Sequence, residues 1–182
     1  VRKSKPRTAR LAAGHRWRAQ ANHKVVVLGK GAVRVEIPEA WVVEIADDCV
    51  KAFDRPRPAD ECVLAVSYHY WPAVGRNLPI GSLVRDVLEK DERSFLAIDP
   101  LVEEAKLDFV LAWAQARFID PRVNREACSR LCLARKAEIQ ALLTFDFWSS
   151  DLAVCDSRWN GFLATLQLGQ WVEDPLRGPP LT

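Results

Sequence analysis

The sequence contains no methionine, only two tyrosines and three histidines, and its longest apolar runs, as at 25–28 and 109–114, are only about five residues. A membrane-spanning helix needs ~20 consecutive apolar residues, so runs this short exclude one. Leu11-Ala12-Ala13 is too short for the apolar core of a signal peptide and is followed by Arg16 and Arg18. The expectation is a cytoplasmic protein that is not secreted by the standard route. With Val1 first and no methionine anywhere, the chain reads as trimmed or as carrying a non-standard start. His15 and His23 fall in the N-terminal segment, which leaves His69 alone to serve a Ser-His-Asp or Cys-His arrangement. No serine sits in a G-x-S-x-G elbow.

What is present is an ordinary globular composition. Apolar residues make up 49% and charged residues 27% of 182 positions, which rules out a largely disordered chain and fits one domain with a core. The five cysteines, Cys49, Cys62, Cys128, Cys132 and Cys155, are an odd number without an export signal, the pattern of reduced thiols in a cytosol-like compartment.

The formal charge of +2 hides an asymmetry. Residues 1–35 carry ten Lys/Arg and no acid; removing these ten from the 26 basic residues leaves 16 against 24 acidic residues, a net −8 for 36–182. Such blocks mark solvated segments, and opposite signs let the segment fold back weakly on the body. The expected organisation is a flexible basic arm at 1–23, one α+β domain at 24–172, and an extended Pro-rich tail at 173–182. The arm, with Arg2, Lys3, Lys5, Arg7, Arg10, Arg16 and Arg18, is the nucleic-acid candidate. Lysine and arginine at this density bind phosphates without sequence specificity. Trp17, however, is its single aromatic, which gives poor interleaving for base stacking.

Within the body, 25–28 and 32–37 flank Gly29-Lys30-Gly31, a connection suited to a hairpin. Pro38-Glu39-Ala40-Trp41 reads as a turn that drops Trp41 onto the core, and Asp47-Asp48 as a turn into a strand at 49–53. A loop holding Pro56 and Pro58 leads to a long strand at 62–71. There Cys62, Leu64, Val66, Tyr68 and Tyr70 alternate with Val63, Ala65, Ser67, His69 and Trp71. The stretch 72–79 reads as irregular. Ser82 is the expected N-cap of a helix striped by Leu83, Val84, Val87 and Leu88. The stretch 94–106 has no clear period.

Strands follow at 107–119, with Leu107, Phe109, Leu111 and Trp113 on one face, at 126–134 and at 139–148. Asp156 then caps a helix with Trp159, Phe162, Leu163 and Leu166 at i, i+3, i+4, i+7, stopped by Gly169. Strands outnumber helices and their connections are mostly hairpins. The expected fold class is therefore α+β: a largely antiparallel sheet flanked by helices. Burying the four apolar residues of the last helix contributes ~2 kcal/mol per side chain before entropy is counted.

The constellations that could carry chemistry are few. Cys128 and Cys132 share a strand face about 13 Å apart, too far for one metal ion or a disulfide, and read as buried core thiols. His69 reads as a strand residue beside a sheet edge rather than an acid–base group. Adjacent acids such as Asp47-Asp48, Asp91-Glu92 and Glu103-Glu104 point apart on turns. Asp146, between Phe145 and Phe147, reads as an outer-face residue on the side of Thr144 and Trp148. Gly29-Lys30-Gly31 lacks both the spacing and the following helix of a phosphate loop. No catalytic residue, metal site or cofactor is expected.

The segment Val33-Arg34-Val35-Glu36-Ile37-Pro38-Glu39-Ala40-Trp41, the middle strand at 62–70, and the ending 139–147 followed by Trp159-x-x-Phe162-Leu163-x-x-Leu166 together resemble the Mog1/PsbP-like family of α/β/α sandwich domains. That family includes DcrB-type bacterial proteins, and the resemblance spans about 32–171. It departs at Ala40, where the family's Pro-x-Gly-Trp turn commonly has glycine, and at Ala137, where a turn glycine is usual. The resemblance implies a non-catalytic binder, an accessory or adaptor module for a protein partner, although a shared fold does not transfer function. Tyr68, Tyr70, Trp71 and Trp148 are the candidate contact residues on a sheet face, since Trp and Tyr carry interface energy disproportionately. Association of the arm with nucleic acid or another anionic surface is the alternative, and a small-molecule enzyme the third reading.

Overall fold

Alternation of apolar and polar residues accounts for most of the architecture. In the computed structural model, which describes residues 11–46, 49–71 and 77–180, two antiparallel sheets pack with two α-helices. The smaller sheet joins β1 (His23–Leu28), β2 (Val33–Pro38) and β11 (Gln167–Leu168) in the order β1-β2-β11. The larger runs β3-β4-β5-β10-β9-β8-β6. Its strands are β3 (Val42–Ile45), β4 (Val50–Phe53), β5 (Cys62–Tyr70), β6 (Phe95–Ile98), β8 (Val110–Asp120), β9 (Arg125–Lys136) and β10 (Ile139–Trp148). β7 (Val102–Ala105) pairs with the first half of β8, beside β6 on the same edge.

The two helices lie on opposite faces of the large sheet. α1 (Ile80–Glu89) covers β8 and β9, where Ile80, Val84 and Leu88 meet Ala112, Ala114, Leu131 and Leu133. α2 (Leu152–Thr165) covers the other face together with the small sheet, burying Cys155, Trp159, Phe162 and Leu163. Alanines at 112, 114 and 116 of β8 keep one face flat enough for α1 to sit close. Leucine, phenylalanine and tryptophan fill the deeper α2 side, where Leu111, Trp113, Leu143 and Phe145 project from β8 and β10.

The expected Trp41 turn is present. Trp41 N–H donates to the Pro38 carbonyl at 3.1 Å, and the indole, 3% exposed, meets Phe162 edge-on at 5.5 Å. Asp47-Asp48 lies outside the described residues, as does 72–76 of the stretch expected to be irregular.

Several local expectations shift. α1 begins at Ile80 behind Pro79, two residues ahead of Ser82, because proline fixes the backbone torsion of the first turn without needing a donor. α2 begins at Leu152, continuing a 3-10 turn at Ser149–Asp151, so Asp156 sits inside it; its carboxylate pairs with Arg130 instead of capping. The helix ends at Thr165, and Gly169 follows β11 in a left-handed turn. The stretch 94–106 holds two four-residue strands interrupted at Asp99-Pro100, too short to show a period. Leu107 precedes β8 in the turn that Lys106 N–H closes on the Phe109 carbonyl, and is fully exposed.

Residues 11–23 are the described part of the segment read as an arm, and Ala12, Arg16 and Trp17 hold it against the C-terminal tail. Trp17 is buried and its Nε1–H donates to the Pro175 carbonyl at 2.8 Å, while Ala12 and Arg16 N–H groups donate to Leu176 and Arg177 carbonyls. Arg34, itself buried, reaches the Arg18 carbonyl at 2.5 Å and Glu36 at 2.7 Å.

The hairpin between β9 and β10 turns on Ala137-Glu138, with Lys136 opposite Ile139. Ala137 has φ 49°, a left-handed conformation that costs an L-residue about 1–2 kcal/mol and that glycine adopts freely. Ala137→Gly is expected to raise stability by about 1 kcal/mol after the added unfolded-chain entropy of glycine is subtracted, read as a higher urea midpoint at unchanged slope.

Candidate functional site

The Gly29-Lys30-Gly31 connection sets the geometry of the candidate surface. All three residues have positive φ, at 55°, 57° and 98°, and they fold a tight turn between β1 and β2. Glycine is required at both ends by close approach. A Cβ at Gly29 would lie 2.2 Å from the Tyr68 ring and hydroxyl, and one at Gly31 would lie 1.8 Å from the Gln170 carbonyl oxygen. The chain leaving β11 therefore folds back over the turn: Gly169 N–H donates to the Ala32 carbonyl and Val172 N–H to the Lys30 carbonyl, both at 2.9 Å. This return carries Trp171 beside Tyr70.

The outcome is an exposed aromatic patch. Tyr70 and Trp171 stack with centroids 6.3 Å apart and planes 12° apart, and they remain 53% and 52% exposed. Tyr68 meets Tyr70 edge-on at 5.8 Å. Local desolvation, then the neighbouring Tyr68 and the Glu138 carboxylate, hold the Tyr70 hydroxyl above the ordinary tyrosine range, so at neutral pH it is an uncharged donor.

Of the four aromatic residues expected to make contacts, the structure unites two. Tyr68 and Tyr70 lie together on the α2 side. Trp71 leaves the end of β5 on the other side, its ring tilted 48° to His69 at 5.3 Å and under the Arg135 guanidinium at 5.6 Å. Trp148 is at the opposite end of the sheet, half-buried beneath Arg125 at 4.5 Å. Register places Phe147 against Cys62 and Ile139 against Tyr70, so Trp71 and Trp148 are separated by most of β5, about 30 Å. Trp171 escaped the sequence reading. Its one signal is the glycine at 169 with the pattern of β11 before it, and its neighbours come from residues near 30 and 70.

The remaining candidates take ordinary places. His69 is exposed on β5 with β10 as its partner. Asp146 lies 3.6 Å from Arg93 Nη1, which in turn sits 4.7 Å over Phe118 and pairs with Asp91 at 2.7 Å. The acid in the aromatic strand thus anchors the segment after α1. Cys128 and Cys132 are both buried on the α2 side, and burial raises both thiols. In the arm, Arg16 reaches the Gly178 carbonyl at 3.4 Å and the Arg18 carbonyl accepts from Arg34. Arg2, Lys3, Lys5, Arg7 and Arg10 lie outside the described residues. No helix of the described residues is long and apolar enough to cross a membrane.

An antiparallel sheet backed by a helix on each face defines a class of fold rather than an activity. Residues 24–172 match the Alr1449 family, and the chain belongs to it. The protein alr1449 of Nostoc sp. strain PCC 7120 is 31% identical over 173 residues, covering 94% of this chain and 90% of its own. Among solved structures, the cyanobacterial PsbP protein CyanoP of Synechocystis sp. PCC 6803 is similar with a TM-score of 0.58 at 10% identity, over 83% of this chain and 95% of that one. The Ran-binding protein Mog1p of Saccharomyces cerevisiae is similar with a TM-score of 0.53 at 10% identity, over 81% and 95%. LpqN of Mycobacterium tuberculosis, involved in cell envelope biogenesis, gives 0.58 at 9% identity, over 80% and 90%. The fold is Mog1/PsbP-like, as the resemblance implied.

Gly31→Ala is expected to destabilise the protein by at least about 2 kcal/mol, since both the backbone torsion and the Gln170 carbonyl oppose a methyl group. Gly29→Ala is expected to displace Tyr68 and so to change tyrosine fluorescence quenching by Trp171 as well as stability. Equal, small effects at both positions would contradict the close approaches.

Proposed function

We propose that this protein is a non-catalytic binding module that docks a protein partner on the Tyr68–Tyr70–Trp171 patch. The observation that carries the reading is the stacked, half-exposed Tyr70–Trp171 pair, held on a rigid glycine turn. Large amphipathic rings with few torsions lose little entropy on docking, and tyrosine and tryptophan dominate interface hot spots. The backbone that presents them is already fixed by the β11 return, so binding need not order a loop.

One solved structure supports a binding role by fold alone. Mog1p is named for binding Ran, and that partner is not carried over to this chain. The five cysteines, an odd number, support a reducing compartment such as the cytoplasm.

Capture from host lysate on the immobilised full chain, analysed by mass spectrometry, is expected to retain specific proteins that the Tyr70→Ala/Trp171→Ala variant loses. Each truncation is expected to cost about 2 kcal/mol of binding, roughly 30-fold in Kd, with the melting temperature little changed because both rings are half in water. An identical set of proteins on both matrices removes the patch from the proposal. Retention on heparin or DNA that vanishes when residues 1–10 are deleted, with no protein captured, would assign the binding to the basic arm instead.

A further inference from the structure

Cys62 opens β5 and Cys155 lies in the first turns of α2, and the fold brings both to one cavity of about 320 Å³. Asp54, Arg125, Asp151 and Arg158 are among the side chains that line it. The cysteines are 4% and 0% exposed, so a small solute reaches them only from this cavity and only as its lining side chains move. Arg158, three residues after Cys155 on the same helix face, points Nη1 at Cys62 Sγ, 3.2 Å away. Its guanidinium lies 5.5 Å over the Trp41 ring, which fixes its position.

The two sulfurs are not equivalent. Cys62 gives its S–H to Cys155; that hydrogen bond and the Arg158 charge hold the Cys155 thiol below the ordinary cysteine value, against the opposing effect of burial. Cys62 is pushed far up by holding the shared proton, by burial and by the Asp54 carboxylate. The amino end of α2 adds its partial positive charge near Cys155, a setting that favours a thiolate. At Cys128 burial outweighs a hydrogen bond with Ser149 and the charges of Arg130 and Arg117; burial also raises Cys132, and neither lines this cavity.

We propose that Cys62 and Cys155 are a peroxide-reactive dithiol, with Cys155 the attacking sulfur and Cys62 the resolving one. The Cys155 thiolate attacks one oxygen of hydrogen peroxide: an S–O bond forms, the O–O bond breaks, and hydroxide leaves and takes a proton from solvent. The Cys62 sulfur then attacks the Cys155 sulfenic acid. The S–S bond forms, the S–O bond breaks, and the hydroxyl departs as water with the Cys62 proton. Two thiols and one peroxide yield one disulfide and two waters, a two-electron oxidation of the protein. A thiol reductant reverses it.

The test uses the reduced full chain, treated under native conditions with a small excess of hydrogen peroxide, alkylated and digested without reduction. A Cys62–Cys155 cross-linked peptide, lighter by two hydrogens, is expected while Cys49, Cys128 and Cys132 remain alkylated; dithiothreitol should abolish it. In Cys62→Ser the sulfenic acid is expected to persist at Cys155 and to be captured by dimedone. In Cys155→Ser, Cys62 is expected to remain alkylatable. Oxidation that begins at the half-exposed Cys49 and leaves Cys62 and Cys155 unmodified overturns the proposal, and needs no variant to be seen. Dimedone capture at Cys62 of Cys155→Ser at the wild-type rate would overturn the assignment of roles.

Discussion

Arg130 carries a full charge into the interior beside α2, and the seating of that helix is organised around keeping the charge satisfied. The side chain is 6% exposed. Nε–H donates to Gln115 Oε1 at 2.8 Å, Nη2–H donates to Asp156 on α2, and the Trp113, Phe147 and Trp159 rings surround the guanidinium at 5.5, 5.2 and 6.0 Å. An unpaired charge here would cost several kcal/mol, so the position of Asp156, and with it the rotation of α2, is strongly specified. Gln115 in turn donates to Asp99 at 2.8 Å, which extends the polar chain from the helix across β9 and β8 to the end of β6. Around this network Trp159 is locked, parallel to Phe145 at 6.1 Å and edge-on to Trp113 at 5.6 Å.

Both proposed sites descend from that seating. With α2 rotated to meet Arg130, Cys155 and Arg158 face the start of β5, where Cys62 waits. The helix then ends so that Leu166 enters the core and β11 pairs with β2, and the chain leaves toward the glycine turn with Trp171. One buried cation thus connects a thiol pair at one end of the sheet to an aromatic patch at the other.

The elements legible in the sequence were those whose signal is local. The alternation of β5, β8, β9 and β10, the Trp41 turn, and the Trp159-Phe162-Leu163-Leu166 stripe each depend on neighbours within a few residues, and each is present. β6 and β7 hold too few residues for a period to emerge. Trp17 is legible only with the tail that covers it, at the far end of the chain. The site divides the same way. Tyr68 and Tyr70 share a face by simple alternation, whereas Trp171 is placed by hydrogen bonds to residues near 30. The Cys62–Cys155 approach depends on a helix docking that no spacing reveals. Ala137 is the instructive middle case: the resemblance marks it as a turn position where glycine is usual, and the structure shows the left-handed torsion that makes glycine usual there.

The separation of the two sites bears on how they relate. Cys62 and Tyr70 are the two ends of β5, about 26 Å apart. Between them β5 pairs with β10 without a break, from Phe147 opposite Cys62 to Ile139 opposite Tyr70. A strand held this way in the middle of a sheet has no second arrangement in which to store a signal, and coupling between sites requires an element with two. α2 is different: it touches the thiol pair with its first turns, pivots on Arg130 and Trp159, and hands the chain to Trp171 after its last. If oxidation of the thiols is felt at the aromatic patch, the movement must pass through this helix and strain the Arg130–Asp156 pair on the way. If that pair stays intact, the patch and the thiols are independent properties of one scaffold.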